Sequence, residues 1–178
     1  LSSSSAASDV YKRQGLGVRE VQVASRSAQS AQALVDQARA MGLQATTVED
    51  VEAAARHCPL IVTCTPARAV VLREAPRSDA FISAVGAFTP QMVELAPGLC
   101  QGLLQSGRVV VDTGDALHEA GDLLQAGIDV AALPTLEQVV REQWPRSDSP
   151  VLFKCCGWGG WDLAATRLAM RRAALQNS

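Results

Sequence analysis

Four short segments place small, hydroxyl-bearing or acidic residues directly after a run of apolar residues. They are ASRS (24–27), TCTPAR (63–68), AVGAFTP (84–90) and DTGD (112–115). A parallel sheet binds its ligands beyond the carboxyl ends of its strands, and small residues there let a cofactor approach the backbone. The four segments therefore mark a candidate ligand-binding edge.

The first segment holds the triplet Ser25-Arg26-Ser27, directly after the predicted strand VREVQVA. In dinucleotide-binding folds an acidic residue at this place hydrogen-bonds the adenosine ribose, and its charge would repel a 2′-phosphate. Arginine between two serines does the opposite, because it offers a charged guanidinium and two hydroxyl donors. The triplet favours NADPH as the cofactor, with NADH as the second possibility. The alternative is a solvated arginine in a turn beside a helix cap.

The second and third segments supply candidate contacts to the rest of a nucleotide and to a substrate. A hydroxyl and a turn end one strand at Thr65 and Pro66, and Gly86 permits close backbone approach at the end of the next. A glycine at a strand end is also a common turn residue, so this alternative stays open. The candidates in these two loops are Thr65, Pro66, Val85, Gly86, Ala87, Phe88 and Thr89.

Four acidic residues in and after the fourth segment could bind a metal or act as acid and base. Helix capping and a solvated helix face explain them more simply. The five cysteines form no CxxC pair and are accompanied by two histidines, which is not the spacing of a zinc site. We therefore expect reduced thiols and no metal centre. The four acids are Asp112, Asp115, Glu119 and Asp122.

The overall composition excludes several classes of partner. The 178 residues are 48% hydrophobic and carry a formal net charge of -2. This balance gives no electrostatic reason to expect nucleic acid or an anionic membrane as a partner. No apolar run approaches the roughly 18–20 residues of a membrane helix, and no secretory-type stretch opens the chain. We expect a globular protein located in the cytoplasm.

Predicted strands and helices alternate from Val18 onward, which is the pattern of βαβ units. Right-handed crossovers favour a doubly wound parallel sheet of the Rossmann type, and so an α/β fold. GDALHEAGDLLQAG is predicted as one helix and WDLAATRLAMRRAALQ as a long amphipathic helix. The predicted helix boundaries are Ser27 as an N-cap, Gly42 as a stop, Thr47 with Asp50 as a capping pair, and Thr89 with Pro90 opening a later helix.

Three longer segments together resemble one enzyme family, the ornithine cyclodeaminase/mu-crystallin family. AVGAFTPQMVEL, VVVDTGDALHEAGDLLQAG and PVLFKCCGWGGWDLAATRLA match it in order and spacing, and the resemblance runs from about Gly15 to the C-terminus. Within the family the likeness is nearest to the reductases of cyclic imino acids. It implies an NAD(P)H-dependent enzyme that reduces Δ1-pyrroline-2-carboxylate to proline and Δ1-piperideine-2-carboxylate to pipecolate, as a homodimer when full length.

The resemblance also implies roles for the candidate residues. The serine-arginine-serine triplet would hold the 2′-phosphate of the cofactor, while Thr65 and Pro66 would lie along it. Val85-Gly86-Ala87 would approach the nicotinamide, with Phe88 and Thr89 beside the imine. Gly157 and Trp158 would complete the pocket. The catalytic residues stay unknown, because the family places the basic residues that read the substrate carboxylate in an N-terminal domain.

Phe88 distinguishes between members of the family. The ornithine-cyclising members carry a catalytic aspartate at this position, and without it a deaminating cyclisation lacks the group that activates water and handles the amine proton. A phenyl ring suits hydride transfer, which needs a dry, shaped site more than a base. Two alternatives stay open: an ornithine cyclodeaminase that forms proline and ammonia, and a non-catalytic NADPH-binding protein like mu-crystallin.

The predicted organisation has three parts. Residues 1–14 are Ser-rich and aperiodic, and we expect a non-native tail resembling translated adapter sequence, or a disordered one. Residues 15–150 form a partial NAD(P)-binding domain, and residues 151–178 a strand, loop and helix that pack toward the substrate and dimerisation domain. The first strand and its Gly-rich loop are expected upstream of Gly15, so the chain alone is predicted to be inactive and poorly stable.

Overall fold

The computed structural model describes residues 17–66 and 68–176, so the tail predicted for residues 1–14 lies outside the described part. The chain divides into two compact units, residues 1–54 and 55–178. Every strand pairing recorded in the described residues is parallel, which confirms the α/β class. The pairings form three separate groups instead of one continuous sheet. Within the same residues, no helix is long and apolar enough to cross a membrane.

The first unit is a strand-helix-strand element: β1 (Glu20–Val23), α1 (Ala28–Ala40) and β2 (Gln44–Thr47). Ser27 caps α1, since its Oγ accepts a hydrogen bond from the amide of Ser30 at 3.3 Å. Gly42 follows the helix with a φ of +81°, where a glycine costs least. Both predicted helix boundaries are confirmed. The buried core of this unit is Val21, Val23, Ala31, Val35, Ala38, Leu43 and Ala45.

The second unit holds the remaining elements, and the short helix α2 (Val51–Ala55) crosses the division between the units. Its strands are β3 (Leu60–Thr63), β4 (Arg68–Leu72), β5 (Phe81–Ala84), β6 (Val93–Leu95), β7 (Arg108–Val111) and β8 (Val151–Lys154). Its helices are α3 (Pro97–Ser106), α4 (Ala116–Glu119), α5 (Gly121–Gln125), α6 (Leu136–Arg141) and α7 (Gly159–Gln176), with a 3₁₀ turn at Val130–Ala132.

The strand β8 lies inside a four-stranded sheet of order β3-β5-β8-β7. It pairs with β5 through Ile82↔Leu152 and with β7 through Val109↔Leu152, and Leu152 is completely buried. The sequence pattern instead assigned residues 151–178 to a separate C-terminal segment. The strand is therefore an internal part of this unit, while the packing direction of α7 stays a prediction. The remaining pair, β4 and β6, forms a small sheet of its own.

Two predicted helix starts are wrong in detail. Thr89 and Pro90 open a turn, closed by a 3.0 Å bond from the Met92 amide to the Thr89 carbonyl, and β6 follows in place of a helix. Thr47 ends β2 and does not pair with Asp50 as a cap. The carboxylate of Asp50 alone accepts from the Ala53 amide at 2.8 Å, so a single acidic cap is enough to start α2.

Candidate functional site

The register of the four-stranded sheet aligns the carboxyl ends of its strands. Thr63 lies opposite Ala84, Ala84 opposite Lys154, and Lys154 opposite Val111. The loops that follow these residues leave the sheet at one edge, as parallel strands require. The structure thus brings together three of the four predicted segments, those beginning at 63, 84 and 112, and adds the loop after β8. The fourth segment, ASRS, belongs to the first unit.

Glu94 is the central acceptor beneath this edge. Its side chain is completely buried, and Oε1 accepts from the amide and hydroxyl of Thr65 at 2.6 and 3.0 Å. Oε2 accepts from the Thr63 hydroxyl at 3.0 Å and from the amides of Gly86 and Ala87 at 2.8 and 3.3 Å. A buried carboxylate that receives five hydrogen bonds is well compensated for its loss of water. It fixes the loop after β3 to the loop after β5.

Close packing against Thr65 and Glu94 requires a glycine at position 86. A Cβ at this position would lie 2.3 Å from the Thr65 backbone and 2.4 Å from Glu94 Oε1. The amide groups of Gly86 and Ala87 are already donated to Glu94, and Ala87 is completely buried. In this structure Ala87 thus offers neither exposed surface nor a free amide, and its contact with a cofactor stays a prediction. Gly86 is half-buried and stays a candidate.

A buried ion pair lies next to Glu94. Lys154 Nζ is 2.9 Å from Asp122 Oδ2, and both side chains are completely buried. The other oxygen, Asp122 Oδ1, accepts from the amides of Glu94 and Leu95 at 2.5 and 2.8 Å. Lys154 Nζ also donates to the carbonyl of Ala87. Asp122 was expected to cap a helix or face solvent, and this expectation is wrong, because the residue is part of a buried charged network.

The loop after β8 is held by Asp112 at the end of β7. Its Oδ2 accepts from the amides of Cys156 and Gly157, both at 2.7 Å, and its Oδ1 from the Thr113 amide at 2.9 Å. Gly157 has a φ of +99°, a conformation that side chains other than glycine rarely adopt. Asp112 is therefore a loop anchor, and it is not a free carboxylate for metal or proton transfer. Asp115 stands at the start of α4 without a side-chain cap.

Several exposed side chains at this edge are large and apolar, while Asp115 in the loop after β7 is exposed and acidic. Val85 is 36% exposed, Phe88 52% and Trp158 53%. The ring of Trp158 lies against the start of α7, where a Cβ on Gly160 would lie 2.3 Å from it. Pro66 and Gly157 are exposed, while Thr65 and Thr89 are half-buried. The edge thus has a polar, buried frame of Glu94, Asp112, Asp122 and Lys154. Its accessible rim carries the apolar Val85, Phe88 and Trp158 together with the exposed Asp115.

The cysteines near the rim are poor nucleophiles. Burial, with a smaller contribution from the Asp112 carboxylate, raises the pKa of Cys155 to about 11 and that of Cys156 to about 12. The described residues contain no group of three or more histidine, cysteine, aspartate or glutamate side chains arranged to hold a metal. Neither thiolate nor metal chemistry is therefore supported at this edge by the side chains that the structure describes.

The serine-arginine-serine triplet follows β1 in the first unit, and all three residues are exposed. The hydroxyl of Ser25 accepts from the Ser27 amide at 3.4 Å, and that of Ser27 accepts from Ser30, so both hydroxyl hydrogens are left to donate. Arg26 makes no recorded hydrogen bond or ion pair within the described part of the chain. A phosphate group fits this arrangement, because α1 also begins here with its amide groups.

Sequence patterns did not indicate Glu94. The residue stands between Val93 and Leu95 in the apolar stretch MVEL, and both neighbours are buried. A charged residue inside a buried run must find compensating partners, which was the available signal. Lys154 entered only as the lysine of the quoted segment PVLFKCCGWGGWDLAATRLA, ahead of Gly157 and Trp158.

Comparison with known proteins assigns this fold and edge to a family. The profile of the ornithine cyclodeaminase/mu-crystallin family matches residues 4–176. The chain belongs to the ornithine cyclodeaminase/mu-crystallin family. This confirms the resemblance that the three sequence segments predicted.

The matched relatives of the family carry closely similar names. The chain is 41% identical over 110 residues to Delta(1)-pyrroline-2-carboxylate reductase 2 of Burkholderia ambifaria, covering 62% of the chain and 34% of that protein. It is 40% identical over 119 residues to Delta(1)-pyrroline-2-carboxylate/Delta(1)-piperideine-2-carboxylate reductase of Azospirillum brasilense, covering 64% of the chain and 37% of that protein. The matches therefore span about a third of the length of these relatives.

A solved structure agrees with the fold. The Thermococcus litoralis Delta(1)-pyrroline-2-carboxylate reductase, in complex with NADH and L-proline, superposes with a TM-score of 0.81. The identity is 19%, and the match covers 95% of the chain and 56% of the other protein. At this identity the likeness supports the fold of the family.

Proposed function

We propose that the protein carrying this chain is an NAD(P)H-dependent reductase of cyclic imino acids. One observation carries the proposal: Phe88, an exposed apolar residue of the ligand edge, stands where ornithine-cyclising members, by the resemblance, need an aspartate. The related proteins named as pyrroline-2-carboxylate reductases support the same substrate class. The candidate substrates are Δ1-pyrroline-2-carboxylate and Δ1-piperideine-2-carboxylate, and the enzyme assay described below determines which ring size is preferred.

The proposed reaction needs few chemical groups from this part of the protein. A nicotinamide held by these residues would supply a hydride to the C=N carbon of the protonated imine, which would give the cyclic secondary amine. The rim residues Val85, Phe88 and Trp158 exclude water from such a transfer. Glu94 and Asp112 accept backbone amides and have no role as a base. The phenyl ring of Phe88 disfavours a deaminating cyclisation, which by the resemblance needs a carboxylate at that position.

We infer that the cofactor is NADPH, held at its 2′-phosphate by Ser25, Arg26 and Ser27. The support is the exposed, unpaired Arg26 between two hydroxyls that retain donors at the start of a helix. NADH is the alternative, and the Thermococcus litoralis reductase is described in complex with NADH. Thr65, Pro66, Val85, Gly86, Gly157 and Trp158 are the proposed contacts along the rest of the cofactor, and Thr89 lies beside Phe88 near the substrate.

The deciding experiment assays the protein for oxidation of NADPH with each cyclic imine, and for ammonia release from ornithine. Imine-dependent oxidation without ammonia is the expected result. Ammonia release would identify a cyclodeaminase, and tight NADPH binding with no turnover would identify a binding protein. Arg26→Ala is expected to raise the KM for NADPH at least tenfold more than that for NADH. The exposed Arg19→Ala is the matched control, and equal losses for both cofactors would refute the phosphate assignment.

A further inference from the structure

Two buried charged residues hold Ala87 from opposite sides. The Ala87 amide donates to Glu94 Oε2 at 3.3 Å, and its carbonyl accepts from Lys154 Nζ. Lys154 is in turn paired with Asp122 at 2.9 Å, and Asp122 accepts the amide of Glu94. Both polar groups of one peptide segment are thereby fixed by a single connected network. Ala87 is the residue directly before Phe88.

We propose that Lys154, backed by Asp122, is a positioning residue that sets the orientation of Phe88 against the substrate. This inference rests on the proposed function, since it names how that site is shaped. Lys154 acts through the Ala87 carbonyl and touches neither substrate nor cofactor. The rim residue Phe88 is 52% exposed, so its place depends on the backbone that carries it more than on packing.

The energetics of a buried ion pair favour a specific task for Lys154. Removing two charges from water costs about as much as their attraction returns, and apolar residues of similar size often stabilise a fold equally well. The sheet position of Lys154 would therefore accept an apolar side chain. What such a side chain cannot supply is a donor to the Ala87 carbonyl. Without that donor the buried carbonyl turns toward other partners, and the peptide that joins Ala87 to Phe88 turns with it.

The test separates positioning from stability with two variants. Lys154→Met leaves the Asp122 charge buried and unpaired, and this variant is expected to unfold at a much lower temperature. The double variant Lys154→Met/Asp122→Asn removes that charge, while Asn still accepts the amides of Glu94 and Leu95 through its oxygen. Its unfolding midpoint is expected to recover most of the loss. The donor to Ala87 stays absent in both variants.

For the double variant we expect kcat with the cyclic imine to fall by roughly 10–100-fold, since a misplacement of about 1 Å costs that much. The KM for NADPH is expected to change less than kcat, because the proposed 2′-phosphate contacts at residues 25–27 lie outside the segment 85–90. Arg167→Met, an exposed change of the same type, is the control for both measurements. Rates are compared at a temperature at which each variant is folded.

A kcat that recovers together with the unfolding midpoint would overturn the positioning role and leave Lys154 a stabilising residue. Hydrogen exchange of the segment 85–90 gives a readout independent of turnover. Faster exchange there in the double variant supports the inference, and unchanged exchange contradicts it. Should the unaltered protein reduce no cyclic imine, the proposed function fails by itself, and the exchange experiment still decides whether Lys154 holds the loop.

Discussion

The carboxylate of Glu94 offers the sharpest test of how the ligand edge is built. Glu94→Gln keeps the size of the side chain and replaces one oxygen by an amide nitrogen. In one orientation that nitrogen faces the amide of Thr65, and in the other it faces those of Gly86 and Ala87. Each orientation opposes donor to donor, so no rotation of the side chain restores the original network.

The expected loss of stability is that of the side-chain orientation that breaks the fewest hydrogen bonds. It leaves the Thr65 amide without its acceptor, which costs about 1–3 kcal/mol for a buried donor. The bonds that remain go to a neutral oxygen, and such bonds are roughly half as strong as charge-assisted ones. We expect the free energy of unfolding to fall by about 2–4 kcal/mol. Urea unfolding of the protein carrying this chain, followed by circular dichroism, measures the change.

Glu137→Gln is the matched control, because it makes the same chemical change at a side chain that is 80% exposed. Its pair with Arg141 lies on the helix surface, and we expect a loss of no more than about 0.5 kcal/mol. Equal stabilities for the two variants would refute the reasoning. They would mean that the loops after β3 and β5 do not depend on the Glu94 carboxylate.

Two further predictions concern the same frame, and a third concerns the buried Cys100 of α3. Gly86→Ala should destabilise the protein by at least about 2 kcal/mol, since the added Cβ would lie 2.3 Å from the Thr65 backbone. Gly102→Ala in α3 is the control, because its Cβ would meet nothing within 4 Å. This variant should stabilise the protein by about 0.5–1 kcal/mol in the same unfolding assay. Asp112→Ala should cost about 1–3 kcal/mol and accelerate hydrogen exchange over 155–158, and unchanged exchange would contradict its anchoring role. Burial raises the pKa of the Cys100 thiol to about 12 from an ordinary value of 9.0. The stability that the buried neutral thiol contributes is therefore complete below pH 9, and it declines by about 1.4 kcal/mol per pH unit as the pH rises toward 12. Cys100→Ala should flatten that decline in the free energy of unfolding.

Local signals predicted the first unit well. Ser27 as an N-cap and Gly42 as a helix stop depend on the residue itself and its immediate neighbours, and both are confirmed. The same reasoning chose Thr89 and Pro90 as a helix start, where a turn stands instead. A threonine followed by proline suits a turn as readily as a helix, and the following residues decide by joining β6.

The interrupted helix after β7 shows a feature that local sequence signals cannot predict. GDALHEAGDLLQAG has the composition of one helix, yet α4 ends at Glu119 and α5 begins at Gly121. A Cβ at Gly121 would lie 2.1 Å from the carbonyl of Met92 and 2.5 Å from that of Thr89. The chain bends at Ala120 because two distant backbones meet there. That contact depends on the tertiary fold, and so do the partners of Glu94.

The separation of frame and rim explains why the two were predictable to different degrees. The rim residue Phe88 was identified because it follows a strand whose end the pattern locates, and Trp158 because the family resemblance implies a place for it in the pocket. The frame residues Glu94 and Asp122 lie on other elements, and they reach the same edge only through folding. Because the frame satisfies its own backbone groups, a rim side chain can change without leaving a buried donor or acceptor unpaired. Substrate preference is therefore expected to vary through positions such as Phe88, while exchanges at Glu94 and Asp122 affect the fold that presents them.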